Sequence, residues 1–229
     1  MKSDYGLINI EQGIFVRELK KRFLCQVKID DKEHLCYIPS SCRLDNFFDL
    51  TGKNILLVPT KGSKATTKFA LLAVEFKKNY IILNSNLANK VIEQNIYSRR
   101  FCYLGKRKLV KRELVVDNYK CDLFIEDSNT LIEIKSIITD NDTGVFPSVY
   151  SQRALRQLDQ LYYCLKNGRK VVYIIVSLNP YLRSVYLDRK SDFYPKFKKC
   201  INCGMRIRAY TCKLNKEENI ELLKSIDVN

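Results

Sequence analysis

The stretch Cys121–Lys135, CDLFIEDSNTLIEIK, carries acids where a strand ordinarily carries apolar groups. Leu123, Ile125, Leu131, Ile132 and Ile134 have the composition of a packed sheet, and Asp122, Glu133 and Lys135 interrupt it. Alternation predicts a β-hairpin with Leu131, Glu133 and Lys135 on one face, and with Asp122, Phe124 and Glu126 sharing a face of the preceding strand. A turn centred on Ser128–Asn129 puts Asp122 directly across from Lys135, with Glu133 as the diagonal neighbour. Two carboxylates and an ammonium then converge on one patch.

Like charges this close repel, so the arrangement calls for a cation. Hard oxygen donors on a rigid sheet suit Mg²⁺ or Mn²⁺, which bind through a few carboxylates and keep several waters. In this reading Asp122 and Glu133 are ligands, the backbone carbonyl of Ile134 is a further one, and Lys135 orients or deprotonates a water. Glu113, on the strand before, reaches the same cluster. The chemistry served is displacement at a phosphate, where a metal stabilises the growing negative charge. The competing reading is a solvated salt bridge, a common and weak feature, and D-x₁₀-E-x-K alone arises often by chance.

Outward from the hairpin the pattern is helix, three strands, helix, strand. NLANKVIEQNIY (86–97) carries Leu87, Val91 and Ile96 at helical spacing, with Ala88 and Ile92 beside them and Asn84 and Ser85 as N-caps. The strands are KLVKRELVV (108–116), YKCDLFIE (119–126) and TLIEIKSII (130–138). After the loop TDNDTGVFPS (139–148), Leu155, Leu158, Leu161, Tyr162 and Leu165 form one helical stripe that ends at Asn167–Gly168. KVVYIIVSL (170–178) is a near-continuous apolar run, as expected of a strand buried on both faces. Strand, crossover helix and parallel strand make a right-handed unit. GMRIRAYTC (204–212) is a further predicted strand and KEENIELLKSI (216–226) a predicted final helix.

Residues 14–83 read instead as short strands divided by turns: RFLCQVKI, HLCYI, NILLVP, KFALLAVEF and YIIL. About five strands without a long helix suggest a small barrel, of which the OB-fold is the commonest nucleic-acid-binding example. The predicted fold is therefore mixed α+β. Residues 1–83 form an OB-fold-like nucleic-acid-binding barrel, and residues 84–229 form the α/β part.

The 229 residues include 40 Lys and Arg against 25 Asp and Glu, a formal charge of +15. That excess fits a polyanionic partner, because neutralising phosphates releases counterions; the bland alternative is a basic but merely solvated surface. RELKKRF (17–23) joins Arg17, Lys20, Lys21 and Arg22 to Phe23, as phosphate tracking with base stacking requires. GKRKLVKR (105–112) is the densest basic run. Arg153 opens the helix expected to cross behind the metal site, and arginine favours bidentate oxyanion contacts.

MKSDYGLINIEQGIF lacks the apolar core of a signal peptide, and VVYIIVSL (171–178) is far short of the ~20 residues that span a bilayer. Nine cysteines without framework spacing fit a reducing cytoplasm, with no membrane partner. Cys200, Cys203 and Cys212 invite a zinc reading, but a fourth ligand is missing and the single histidine, His34, is distant in sequence.

The element order with D…ExK resembles the core of PD-(D/E)XK nucleases, a restriction-endonuclease-like fold. The whole chain resembles the sugar fermentation stimulation protein A family, described as DNA-binding and nuclease-like. The similarity runs through KRFLCQV (21–27), RELVVDNYKCDLFIE (112–126), IEIKSI (132–137), Phe146–Pro147, Arg153, GRKVVYIIV (168–176) and GMRIRAY (204–210). It implies an N-terminal OB-like domain and a C-terminal nuclease-like domain. The chain also departs from that pattern. PSSC (39–42) stands for the family's PNTG, KGSKATTK (61–68) for its Asn-Pro-Lys-Arg stretch, and Ser148 for the acid after Phe-Pro. Lys120 replaces an Arg near the metal-binding Asp, and Gln157 replaces a helix His; both remain nucleic-acid-contacting positions by resemblance.

Two functions follow. The first is a metal-dependent nuclease acting on DNA in preference to RNA, with Glu113, Asp122, Glu133 and Lys135 as its catalytic set. The second is a non-catalytic, regulatory DNA-binding protein. A zinc-stabilised interaction module is a third and weaker reading. Oligomeric state is open.

Overall fold

The computed structural model describes residues 10–20, 23–40, 43–60, 65–149 and 151–229. Six strands come first: β1 (Glu11–Glu18), β2 (Leu24–Ile29), β3 (Lys32–Tyr37), β4 (Asn54–Pro59), β5 (Phe69–Phe76) and β6 (Asn79–Ile82). They run in the order β3-β2-β1-β4-β5-β6, and a parallel pairing of β3 with β5 at Cys36–Phe69 and Tyr37–Ala70 closes β1 to β5 into a barrel. Its core is Phe15, Cys25, Val27, Cys36, Ile55, Leu57 and Leu71, all nearly free of solvent. Asp30 and Asp31 turn β2 into β3 with φ of 46° and 62°, the left-handed pair that a two-residue hairpin favours.

The five strands anticipated here are β2 to β6. The one not anticipated, β1, pairs with both β2 and β4 and so holds the barrel together. In EQGIFVRE only Phe15 is buried, so apolar alternation is nearly silent. Gly13 is what lets β1 lie close to β2, since a Cβ there would come within 3.0 Å of the Lys28 carbonyl.

The rest of the chain adds α1 (Leu87–Asn95), a 3₁₀ segment (Arg99–Leu104), β7 (Val110–Arg112), β8 (Val115–Val116), β9 (Tyr119–Lys120), β10 (Leu123–Ile125) and β11 (Thr130–Ile137). β12 (Thr143–Phe146), α2 (Gln152–Lys166), β13 (Lys170–Ser177), β14 (Ser184–Leu187), α3 (Phe193–Asn202), β15 (Arg206–Leu214) and β16 (Ile220–Val228) complete it. One sheet runs β12-β14-β16-β15-β13-β11-β10-β7, with β11, β13 and β15 parallel at its centre. The α2 helix is the crossover between β11 and β13. Ser151 caps its first turn by accepting from the Ala154 N–H, and Leu155, Leu158, Leu161 and Leu165 are buried. Each such leucine contributes roughly 1.5–3 kcal/mol by leaving water.

Alternation divides the sheet's side chains between two cores. Leu123, Ile132, Ile134, Ile174 and Tyr210 pack with α1, the 3₁₀ segment and the barrel. Phe124, Leu131, Tyr173 and Ala209 pack with α2 and α3. The Ile82 N–H donates to the Leu178 carbonyl at 3.0 Å, and the Tyr181 hydroxyl meets the Asn79 amide at 2.8 Å, so the barrel and the sheet are joined by backbone as well as by apolar packing.

Several elements differ from expectation. KEENIELLKSI is not a helix: Asn215–Asn219 form a turn, Glu218 takes φ of 60°, and β16 pairs antiparallel with β15. Its Glu, Leu and Lys favour a helix locally, but the open edge of β15 offers a full ladder of backbone hydrogen bonds and the strand wins. KLVKRELVV is not one strand, because Glu113 at φ 49° breaks it between β7 and β8. β12 lies inside the stretch read as a loop, and neither β14 nor α3 was anticipated.

Candidate active site

The opening hairpin forms with its turn at Glu126–Asn129. Leu123 pairs with Ile132, Phe124 with Leu131 and Ile125 with Thr130. Extended by one residue, this register sets Asp122 opposite Glu133, not opposite Lys135 as the expected turn centre implied. The shift is two residues, so every side chain keeps its face and only its partner changes. The turn sits earlier because Asp127 accepts the Leu109 N–H at 2.8 Å, Asn129 adopts φ of 52°, and the Asn129 carbonyl accepts from Lys170 at 3.1 Å.

Asp122 lies just before β10, and its carboxylate receives two neutral N–H donors. The Ile134 backbone donates to Oδ2 at 2.7 Å, and the Asn89 amide of α1 donates to Oδ1 at 2.8 Å. Glu133 is only 2% exposed. Its Oε1 lies 2.5 Å from the Lys135 ammonium, and its Oε2 accepts from the Tyr119 hydroxyl. Burial pushes the Glu133 carboxyl up, Lys135 holds it down, and the Asp122 charge pushes it up again. Burial and then Glu133 raise the Tyr119 phenol well beyond its usual range, so it stays a neutral donor. Tyr173, wholly buried beneath the pair, is likewise held protonated by burial, then by Glu133 and Asp122.

Lys135 donates to the Gln157 side chain at 3.0 Å, which brings α2 to the cluster. Arg153 stands one turn earlier on the same helix face and is exposed. Asp122, Glu133, Ile134, Lys135 and Gln157 are thus assembled, with Arg153 at their border. Glu113 and Lys120 face each other instead, at 2.7 Å on the surface, although the Glu113 N–H still donates to the Asp122 carbonyl at 3.0 Å. Among the described residues no group of three His, Cys, Asp or Glu side chains is placed to hold a metal.

On the barrel, Arg17 donates to the Gln26 side chain at 2.5 Å, Lys20 is exposed, and Phe23 lies 6.2 Å from the Tyr37 ring. Lys21 and Arg22 lie outside the described residues. The cysteine reading is settled by the sheet: Cys200 belongs to the core beneath α3 and Cys212 to the opposite core, so the two cannot share a zinc ion.

Three contributors had escaped sequence reasoning. Asn89 reaches Asp122 from α1, and as an uncharged amide it carried no signal of its own. Tyr119 is delivered by the tight β8–β9 hairpin, whose turn residues Asp117 and Asn118 take φ of 50° and 63°. Arg169 ties that turn to the next one, meeting Asp117 at 2.9 and 3.2 Å and the Asn129 side chain at 2.6 Å. The Asp-Asn dipeptide was a legible turn signal; the fork from Arg169 was not.

The donor set suits a hard divalent cation. Two carboxylates lie side by side, one of them buried, and one ammonium leaves a net negative charge. Each carboxylate oxygen has a spare lone pair beyond the single partner named above.

Fold and site define a class: a closed β-barrel joined to a mixed α/β sheet whose central hairpin presents Asp, Glu and Lys together. A family model described as the sugar fermentation stimulation protein RE domain matches residues 86–218, and the chain belongs to the sugar fermentation stimulation protein family. It is 28% identical over 220 residues to a sugar fermentation stimulation protein homolog of Clostridium botulinum, covering 93% of this chain and 94% of that protein. The homolog of Thermotoga neapolitana is 28% identical over 211 residues, covering 90% of each. The fold matches that of Pyrococcus furiosus SfsA in complex with Ca²⁺, with a TM-score of 0.84, 21% identity and 97% of each chain covered. Among the described residues no helix is long and apolar enough to cross a membrane.

Proposed function

We propose that this protein is a divalent-metal-dependent nuclease that hydrolyses phosphodiester bonds, with DNA as substrate in preference to RNA. The observation that carries this reading is the facing pair Asp122 and Glu133 with Lys135 at 2.5 Å from the buried glutamate. Burying an acid beside a second acid is costly, and a protein that only bound nucleic acid would gain nothing by it. Support also comes from the related Pyrococcus furiosus SfsA, described in complex with Ca²⁺, a hard cation of the kind this donor set suits.

Asp122, Glu133 and the Ile134 carbonyl would hold Mg²⁺ or Mn²⁺. When bound, the cation supplies positive charge to the phosphate oxygens as negative charge builds on them. Asn89 and the Ile134 N–H fix the Asp122 carboxylate, while Tyr119 fixes that of Glu133. Lys135, held by Glu133 and Gln157, is about a third exposed and positions the attacking water at the edge of the site. Arg153 offers its guanidinium to a neighbouring phosphate. In this reading residues 1–83 are a nucleic-acid-binding barrel and residues 84–229 the catalytic part.

The second reading, a non-catalytic DNA-binding protein, draws on one feature: both Glu133 oxygens already have partners within the protein. Incubating the protein with labelled single- and double-stranded DNA and RNA, with Mg²⁺, Mn²⁺ or chelator, separates the two. Metal-dependent cleavage of any of them supports the nuclease, and binding without cleavage in every arm supports the alternative.

A further inference from the structure

The basic run at 105–112 takes part in a cluster that the hairpin chemistry does not use. Arg206 and Arg208 project from β15 on the sheet face opposite the one that carries Glu133. Arg206 donates to the Tyr103 carbonyl at 3.4 Å, and the Arg208 guanidinium lies 5.0 Å from the Tyr103 ring centre. Arg107 donates to the carbonyls of Gly105 and Ser98, at 2.5 and 3.4 Å, and its Nε is sealed from solvent without a partner. Arg100 donates to the Leu222 carbonyl at 2.8 Å. The Tyr103 and Tyr210 hydroxyls meet at 3.2 Å among these cations.

The hydrogen-bond partners of these four arginines are neutral carbonyls. Among the described residues none of the four forms an ion pair with a carboxylate. Asp227 follows directly on the Ala209–Ile226 pair, yet no ion pair joins it to Arg208. Carbonyls orient a guanidinium without cancelling its charge, so four aimed positive charges are left mutually repelling. Some other cations have acid partners, as Lys196 has Asp159 and Arg169 has Asp117.

We infer that Arg100, Arg107, Arg206 and Arg208 form a second phosphate-binding surface, which grips a nucleic-acid backbone on the sheet face away from the carboxylates. Arginine forks match phosphate oxygens, and the partly buried Tyr103 sets an aromatic ring among them. A nucleic acid is favoured over an acidic peptide because guanidinium and aromatic alternate here, as they do in strand-tracking grooves. The surface rests on the proposed nucleic-acid partner but not on cleavage.

The test is anisotropy of a labelled DNA duplex across a salt series, with chelator present so that metal chemistry plays no part. Arg206→Gln/Arg208→Gln should weaken binding at least ~10-fold and reduce the salt slope by about two units, roughly one per lost phosphate contact. Lys198→Gln/Lys199→Gln, which removes equal charge from α3, should leave the slope nearly unchanged. Arg206→Lys/Arg208→Lys should keep the slope but weaken binding, since lysine lacks the fork. An unchanged slope in the glutamine variant, an equal loss in the α3 control, or equally tight retention of poly-glutamate would each overturn the assignment. Metal-dependent cleavage, read separately, decides the nuclease proposal whatever the outcome here.

Discussion

Two buried glutamates of this chain show how environment assigns a role. Glu18 ends a barrel strand with its side chain 3% exposed, and Glu133 sits mid-strand in the sheet with its side chain 2% exposed. Glu18 accepts the backbone N–H groups of Leu44 and Asp45 at 2.8 and 3.3 Å, at the start of a 3₁₀ turn, with Arg43 at 3.7 Å. Its charge is met by neutral donors and one half-exposed cation. That is a structural anion, like a helix cap. Glu133 has one lysine and one tyrosine but faces a second carboxylate. Equal burial therefore has opposite meanings: one acid satisfies orphan donors, and the other concentrates negative charge where a cation is called for.

The largest expected effects fall on the sheet. On the proposed function, Asp122→Asn or Glu133→Gln should reduce metal-dependent cleavage to background and abolish the rise in melting temperature expected of Mn²⁺ or Mg²⁺ binding to the folded state. Thermal scans with metal and with chelator check this, and a variant stabilised by metal as much as the parent would remove the metal site. Glu18→Gln should leave both readouts unmoved, which is the sharpest form of the contrast.

Lys135→Ala comes next. It should bind metal and nucleic acid about as well as the parent yet cleave at least ~100-fold more slowly, the lower range for a positioned acid–base group, or about 2.7 kcal/mol in the barrier. Single-turnover rates with saturating protein measure it. If Lys135 were only a salt-bridge partner, the variant would lose stability and show no specific loss of rate.

Glu18→Ala should act in the reverse sense. Leaving two backbone donors unpaired costs roughly 1–3 kcal/mol of stability, read as a shift in urea midpoint at constant slope, with turnover per folded molecule unchanged.

The smallest effect is on pH dependence. The Glu133 carboxyl is raised in the folded state, chiefly by burial, so the native chain binds a proton more tightly than the unfolded one. The Glu133 contribution to stability in chelator should accordingly be greatest at the acid end and fall as pH rises from the ordinary glutamate range through the raised value. The slope is at most about 1.4 kcal/mol per pH unit for one proton. Glu133→Gln should flatten it. Metal affinity should rise over the same window, because the ligand must lose its proton.

The elements whose signals were periodic were legible: the α2 stripe from Leu155 to Leu165, the apolar run of β13, and the hairpin that joins Asp122 to Glu133. Where periodicity was weak the reading failed. β1 buries only Phe15, and β16 is written in helix-forming residues that the free edge of β15 overrules. The position of the hairpin turn also escaped, since Asp127, Asn129 and Lys170 settle it by contacts beyond the hairpin. Of the site, the two acids and the lysine were readable, while Glu113 turned out to face Lys120.

By itself, the sequence determined the charge balance, the order of most elements and the presence of Asp122, Glu133 and Lys135 on neighbouring strands. These follow from composition and from periods of about two and 3.6 residues, which are local properties of the chain. Only the tertiary structure decided that Asp122 faces Glu133, that Asn89, Tyr119 and Gln157 close around them, and that Arg206 and Arg208 meet Tyr103 from a distant part of the chain. Such partners are chosen by packing between distant segments, and the desolvation that gives Glu133 its character exists only once those segments enclose it.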